Sequence, residues 1–145
     1  MDAETARKYV SGDAMEHLDN ITAMLNAPYF RDNGMEPVSI SLDTVRTRME
    51  IKDRDRNSNG FWHGGAIGGV MDHSFAILSN IEGPAVGRST YIQYYRPGRG
   101  PVIEAEARLL NKSKSFFTVN VKAYDGDKVV AEGMFNAFRL QEVKH

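Results

Sequence analysis

The sequence predicts an α+β fold that combines one long helix with an antiparallel sheet. Near the N-terminus apolar residues recur at helical spacing, and from Val38 onward they alternate with polar residues as in a strand. A glycine-rich helical segment follows, and after it come four strand-like segments separated by short polar turns. This order favours an antiparallel sheet that wraps the helix.

The composition is that of one globular domain. The chain has 145 residues, with 18 basic and 19 acidic side chains and no cysteine. Balanced charge argues against a dedicated nucleic-acid binder, and no stretch approaches the length of a membrane span. The lack of cysteine excludes disulfides and thiol nucleophiles and is typical of a reducing compartment. We therefore expect a cytoplasmic protein that binds a small molecule or a protein, with no nucleic-acid or membrane partner.

Each predicted element follows from the spacing of its apolar residues and from the residues that interrupt that spacing. Proline ends the first helical segment, and a tract rich in charged residues, Asn, Ser and Gly separates the first strand from the central helix. The first strand carries a predicted bulge near Asp43-Thr44. We expect one domain over 1–145, made of a helical extension (1–26) and a core (27–145). The predicted elements are helices over 2–26, a linker over about 26–37, a strand over 38–51, a loop over 52–60, a helix from about 64 to 83, and strands over 87–96, 102–110, 115–124 and 129–140.

The central helix has a carboxylate on a face of small residues. On a helical wheel, glycines 65, 68 and 69 lie within about 60° of Asp72, opposite a face of Ile, Val and Leu. Each helical glycine costs about 1 kcal/mol relative to alanine, so close approach of another group is the expected compensation. Two interpretations stay open. Either the helix packs tightly on the sheet and Asp72 is solvated, or a carbonyl binds the N-terminal amides and Asp72, two turns along, acts on it.

Residues 57–72 contain a spaced motif, N-x-x-G-x-x-H-G-G-x6-D, formed by Asn57, Gly60, His63-Gly64-Gly65 and Asp72. It resembles the signature of hotdog-fold thioesterases of the PaaI-like, phenylacetate-degradation type. The resemblance extends over roughly 26–140, because Arg96-Pro97 also matches a family strand end. It implies a hotdog fold, in which a curved antiparallel sheet of about five strands wraps a long central helix. It further implies hydrolysis of an acyl-CoA thioester by a homodimer or homotetramer, with the active site between subunits.

The resemblance also implies roles for individual residues. Asp72 corresponds to the general base or nucleophile, and Gly64 to the amide that polarises the thioester carbonyl. Asn57 matches the asparagine that orients the water or the thioester. His63, a positioning residue, and Gly65 are expected to bind substrate. CoA is part of the substrate, so no separate cofactor is expected.

Two regions of the chain differ from the family pattern. Lys112 and Lys114 occupy the turn in which family members often have a basic pair near the CoA phosphates or pantetheine, and either ligand contact or a solvated turn is compatible with them. Gly87 stands where many members have a Ser or Thr that faces the acid. Ser89 or Thr90 could supply that hydroxyl only after a shift in strand register.

Other chemistry has little support in the sequence. The histidines at 17, 63, 73 and 145 show no metal-binding spacing, and no nucleotide-binding glycine loop is present, so we expect no metal and no nucleotide cofactor. His73 points about 100° away from Asp72 on a helix and is expected to be structural. Trp62 and Phe61 either line an acyl pocket or pack the loop on the core. The alternative function is a hotdog protein that binds or senses acyl-CoA without hydrolysing it.

Overall fold

The N-terminal segment is helical, as the spacing of its apolar residues predicts. The computed structural model describes residues 1–140. Its helices are α1 (Ala3–Arg7), α2 (Leu18–Leu25), α3 (Pro28–Asp32) and α4 (Gly64–Asn80), with short 3-10 turns at Gly12–His17 and Asp53–Asp55. Its strands are β1 (Met35–Ile40), β2 (Thr44–Glu50), β3 (Ala85–Tyr94), β4 (Val102–Lys112), β5 (Phe116–Asp125) and β6 (Lys128–Arg139).

The six strands form one antiparallel sheet in the order β1-β2-β4-β5-β6-β3. Strands β4, β5 and β6 are a meander, and Gly126, with φ of 63°, allows the tight β5–β6 turn. The predicted four-strand meander is wrong at its start, because β3 pairs with β6 and not with β4. Two prolines in the β3–β4 connection lack the N–H groups that a tight hairpin needs. That connection instead packs on Trp62, whose backbone N–H donates to the Gly98 carbonyl at 3.0 Å.

The predicted single strand over 38–51 is two strands. A turn at Ser41–Asp43 reverses the chain, and the Ser41 N–H and hydroxyl both bond to Thr44 across it. Alternation continues on both arms of this hairpin, so the pattern does not reveal the reversal. The expected linker is also partly ordered, because Pro28 begins helix α3, where its missing N–H costs nothing.

Helix α4 packs its predicted apolar face on the inner surface of the sheet. Ile67, Val70 and Ile77 on this face are buried. The N-terminal helices add Ala6, Ile21 and Leu25 to the same core. They also cap the end of α4, since the Asn20 side-chain amide donates to the last carbonyls of the helix, at Asn80 and Ile81 (2.7 and 2.9 Å).

The two edges of the sheet differ. The β1 edge is partly covered, because Ile40 exchanges backbone hydrogen bonds with Tyr9 and Ser11 of the N-terminal segment. The β3 edge is open, and the strand is exposed along most of its ten residues. Its side chains include Tyr91, which is 67% exposed. An edge strand of this length with exposed aromatics is ready to pair with another chain.

Candidate active site

The loop before α4 is organised by Asn57. The Asn57 side-chain oxygen accepts hydrogen bonds from the backbone N–H groups of Asn59 (3.0 Å) and Phe61 (3.1 Å). The Asn57 N–H in turn donates to the Phe61 carbonyl at 2.8 Å. Because the oxygen is occupied, the polar group that Asn57 can offer to a ligand is its NH₂ donor.

His63 caps the N-terminus of α4. Its Nδ1 atom accepts the Gly65 N–H at 2.8 Å, and the His63 carbonyl accepts from Ala66 and Ile67 as the helix begins. The Gly64 N–H has no intrahelical partner, as expected for the first helical residue, and it donates to no acceptor within residues 1–140. Gly64 is therefore the amide at this helix start that is left for a ligand, whereas the Gly65 amide is satisfied by the cap.

A groove of about 380 Å³ opens at the Gly64 amide. Trp62 is buried beneath it and donates its indole N–H to the Gly100 carbonyl at 2.9 Å. Trp62 and Phe61 thus both pack the loop and contribute to the groove, so the two interpretations of these residues are compatible. The groove is lined by Asn57, Phe61, Trp62, Gly64, Ile67, Tyr94, Tyr95, Arg96 and Pro97.

Two tyrosines lie against the glycine face of α4. The Tyr94 hydroxyl donates to the Gly64 carbonyl at 3.4 Å, and its ring is about 3.8 Å from where a Gly64 Cβ would stand. On the other side, the Tyr29 hydroxyl would be 2.6 Å from a Cβ at Gly69. Close approach does therefore account for Gly69, but the approaching group is a side chain from α3 and not the sheet.

Asp72 lies on this face about one turn beyond Gly69, on the C-terminal side of both tyrosine contacts. Its side chain is exposed in the single chain, yet the surrounding protein partly desolvates it and raises the pKa of its carboxyl above 3.8. Burial disfavours the charged form of a carboxyl, and within residues 1–140 no hydrogen bond to the Asp72 side chain offsets this effect. Perturbed pKa values cluster at functional sites, so this carboxyl is a candidate functional group.

The structure keeps Gly64 and Asp72 apart within one chain. They are eight residues apart on one helix, a separation of about 12 Å along its axis. A general base must lie within about 3 Å of the proton that it removes, or act through one water. One chain alone therefore does not bring the two groups to the same carbonyl.

His73 is packed away from this face, as expected. Its ring lies 4.7 Å from that of Phe30 and stacks on Tyr29 at 6.3 Å, between α4 and the N-terminal helices. Desolvation lowers the pKa of His73, while the nearby Met24 backbone acts in the opposite direction. These contacts assign His73 to packing.

The two lysines of the β4–β5 turn lie far from the Gly64 groove in the same chain. Lys112 pairs with Glu82, just beyond the C-terminal end of α4, and stands 5.8 Å from the Phe117 ring centroid. The Lys112 side chain also lowers the pKa of Glu82, mainly by hydrogen bonding. Lys114 is exposed in the turn itself. Ligand contact by either residue stays a prediction.

Strand β3 has an irregularity at the position of the missing hydroxyl. Gly87 faces Phe75, since a Cβ at Gly87 would stand 3.5 Å from that ring, and the register shifts between Gly87 and Ser89. Ser89 accepts a hydrogen bond from the Asn136 amide. Thr90 shares its strand face with Ile92 and Tyr94, which lie against α4. The shift thus puts the Thr90 hydroxyl on the helix side of the strand.

The sequence reasoning missed the side chains that frame the glycine face. Tyr94, Tyr29 and Arg96 come from β3, α3 and the β3–β4 loop, and no local spacing links them to the motif. The four helical glycines were the available signal, since they indicated that something approaches the helix closely.

Within residues 1–140, no cluster of three or more His, Asp or Glu side chains is arranged to hold a metal ion.

No helix in the described part of the chain is long and apolar enough to span a membrane.

The family model of the thioesterase superfamily matches residues 59–132, just over half of the sequence, and the chain belongs to this superfamily. A curated relative from Deinococcus radiodurans, named "Putative esterase", is 27% identical over 96 residues. The match spans 66% of each chain, just under two thirds of the relative.

Solved structures agree with the hotdog fold. A mutant form of the phenylacetic acid degradation protein PaaI from Thermus thermophilus has a TM-score of 0.75 and 29% identity, covering 78% of this chain and 99% of that one. The PaaI protein from E. coli has a TM-score of 0.84 and 22% identity, covering 90% and 97%. The predicted hotdog fold and the resemblance to PaaI-like thioesterases are confirmed. The sheet has six strands where about five were expected.

Proposed function

We propose that the protein hydrolyses an acyl-CoA thioester to the free acid and CoA. The observation that carries this proposal is the unsatisfied Gly64 amide at the start of α4, which opens into a groove beside the Asn57 side-chain NH₂. Both are donors, and both are suited to a carbonyl oxygen that gains negative charge. Superfamily membership supports thioester hydrolysis as the general reaction.

The reaction needs one polarised carbonyl and one activated oxygen nucleophile. The thioester oxygen binds the Gly64 N–H, which stabilises the tetrahedral intermediate. The Asp72 carboxylate then either removes a proton from the attacking water or attacks the carbonyl itself, in which case water hydrolyses the resulting anhydride. In both routes the intermediate collapses, the C–S bond breaks, and CoA leaves as the thiolate.

A second copy of the chain is part of this proposal. Gly64 and Asp72 of one chain lie about 12 Å apart along α4, too far for both to act on one carbonyl. Two α4 helices that lie antiparallel beside each other bring the Asp72 of one near the Gly64 of the other. The open β3 edge beside this face supports such an assembly. The lack of cysteine is the reason to keep a cytoplasmic setting in the proposal.

Non-hydrolytic acyl-CoA binding is the second candidate. One observation favours it: Gly87 offers no hydroxyl and Ser89 is hydrogen-bonded to Asn136, which leaves Thr90 as the hydroxyl on the helix side of the strand. Against it stands Asp72, because a carboxylate with a raised pKa on an open face has no role in simple binding.

The test follows thiol release from aryl, short, medium and long acyl-CoA esters. Asp72→Asn should abolish turnover, whereas Asp19→Asn, which neutralises an exposed carboxylate on α2, should not. Full turnover in Asp72→Asn would contradict the role of Asp72. Saturable binding of CoA esters with no thiol release over hours would favour the sensing alternative.

A proline variant isolates the Gly64 amide. Gly64→Pro deletes the N–H at the first helical position, where proline is tolerated, and His63 already has the extended backbone that precedes proline. We expect kcat to fall by about 10²–10³. Gly64→Ala is the matched control, because it keeps the N–H and its Cβ would meet Tyr94 at an ordinary 3.8 Å. Equal activity in the two variants would remove Gly64 from the mechanism.

A further inference from the structure

A second groove, of about 350 Å³, adjoins the groove at Gly64. The two grooves share Arg96 and Pro97 as a common wall. The second groove is further lined by Arg99, Asp125, Lys128 and Val130. It is formed by the β3–β4 connection and the β5–β6 turn, far from Lys112 and Lys114.

The charge in this groove is not balanced by its surroundings. Within residues 1–140, Arg96, Arg99 and Lys128 form no salt bridge. The one carboxylate of the groove, Asp125, accepts the backbone N–H groups of Arg99 (2.9 Å) and Gly100 (3.1 Å). Asp125 thus serves to shape the loop, and the three cations are left facing solvent.

The loop that carries Arg96 and Arg99 is fixed to the Gly64 groove. The Arg99 guanidinium lies 4.8 Å from the centre of the Phe61 ring, which lines that groove. The loop is also tied to Trp62 by hydrogen bonds at Gly98 and Gly100. A ligand whose carbonyl binds the Gly64 amide can therefore extend directly along Arg96 into the basic groove.

From this juxtaposition we infer that Arg96, Arg99 and Lys128 bind the diphosphate of the CoA substrate. This inference rests on the proposed function and adds the binding site for the charged end of the substrate. The pantetheine arm then crosses the wall formed by Arg96 and Pro97. Guanidinium groups suit this role because they offer several N–H donors to phosphate oxygens. By contrast, Lys112 is already paired with Glu82.

The test compares an acyl-CoA with the corresponding acyl-pantetheine, which has the same thioester but no nucleotide. The variant Arg99→Glu/Lys128→Glu reverses two charges outside the Gly64 groove. We expect its KM for acyl-CoA to rise about tenfold or more with kcat unchanged, as for loss of uniform binding. Its kinetics on acyl-pantetheine should equal those of the wild type, which also verifies that it is folded. Arg99→Lys should retain most of the affinity, and KM for acyl-CoA alone should rise with salt.

Lys8→Glu, a charge reversal at the exposed residue that follows α1, is the control and should change neither substrate's kinetics. Equal effects of the double variant on both substrates, or none on either, would overturn the inference. The inference would also be overturned if Lys112→Glu/Lys114→Glu raised KM for acyl-CoA while Arg99→Glu/Lys128→Glu did not. Calorimetry with CoA alone separates the two proposals. If no thioester is hydrolysed, the proposed function fails, whereas equal CoA affinity in wild type and double variant rejects the diphosphate site.

Discussion

The proposed reaction depends on the protonation state of the Asp72 carboxyl. Desolvation raises its pKa above 3.8, and the reaction uses the charged form. The value of kcat/KM should therefore fall as the pH drops through this raised pKa, so the midpoint of the acidic limb lies above 3.8. A pH profile of kcat/KM from about pH 3 to 8 checks this expectation. A limb with its midpoint at or below the ordinary value would contradict it.

The pKa of His73 is shifted in the opposite direction, and this shift affects the stability of the fold. Burial lowers its pKa below 6.5, so the unfolded chain binds the proton more readily than the folded chain. The free energy of unfolding should then decrease as the pH falls below about 6.5. Urea unfolding at several pH values measures this free energy. Its pH dependence over this range should be shallower in His73→Gln than in the wild type. Equal slopes in the wild type and His73→Gln would rule out His73 as the cause.

Contact between α4 and β2 includes a buried polar pair. The Thr47 and Ser74 hydroxyls are 2.6 Å apart, both residues are fully buried, and the Ser74 hydroxyl also donates to the Val70 carbonyl at 3.1 Å. Ser74→Ala leaves the Thr47 hydroxyl without a partner and should cost about 1–3 kcal/mol of unfolding free energy. Thr47→Val should cost less, because Ser74 keeps the Val70 carbonyl. Chemical denaturation measures both, and the reverse order would contradict this assignment of donors.

The elements differ in how far the sequence could predict them. Helix α4 and its buried face were predictable because the 3.6-residue period is local. The β1–β2 hairpin was not, since alternation is the same on both sides of a reversal at Ser41–Asp43. Pairing of β3 with β6 depends on contacts between distant segments, which spacing along the chain does not encode. For the same reason the motif predicted Gly64 and Asp72 but not Tyr29 or Tyr94.

At the scale of the whole molecule, the open β3 edge predicts self-association. Sedimentation at micromolar concentration should show a dimer or a larger assembly. Tyr91→Lys places a charge on the exposed strand and should shift the protein toward a folded monomer with little hydrolysis. Val38→Lys, on the opposite edge strand β1, should leave both assembly and activity unchanged. A fully active monomeric wild type would exclude a shared site.

Mixing two inactive variants tests whether the site is shared. In an antiparallel pair, each site takes Gly64 from one chain and Asp72 from the other. A dimer of one Gly64→Pro chain and one Asp72→Asn chain then has one intact site and one site with both changes. Random reassembly of equal amounts should restore about a quarter of wild-type activity, since half of the dimers are mixed and each has one working site. If both groups acted within one chain, no mixture would recover any activity, and thiol release after co-refolding distinguishes the two arrangements.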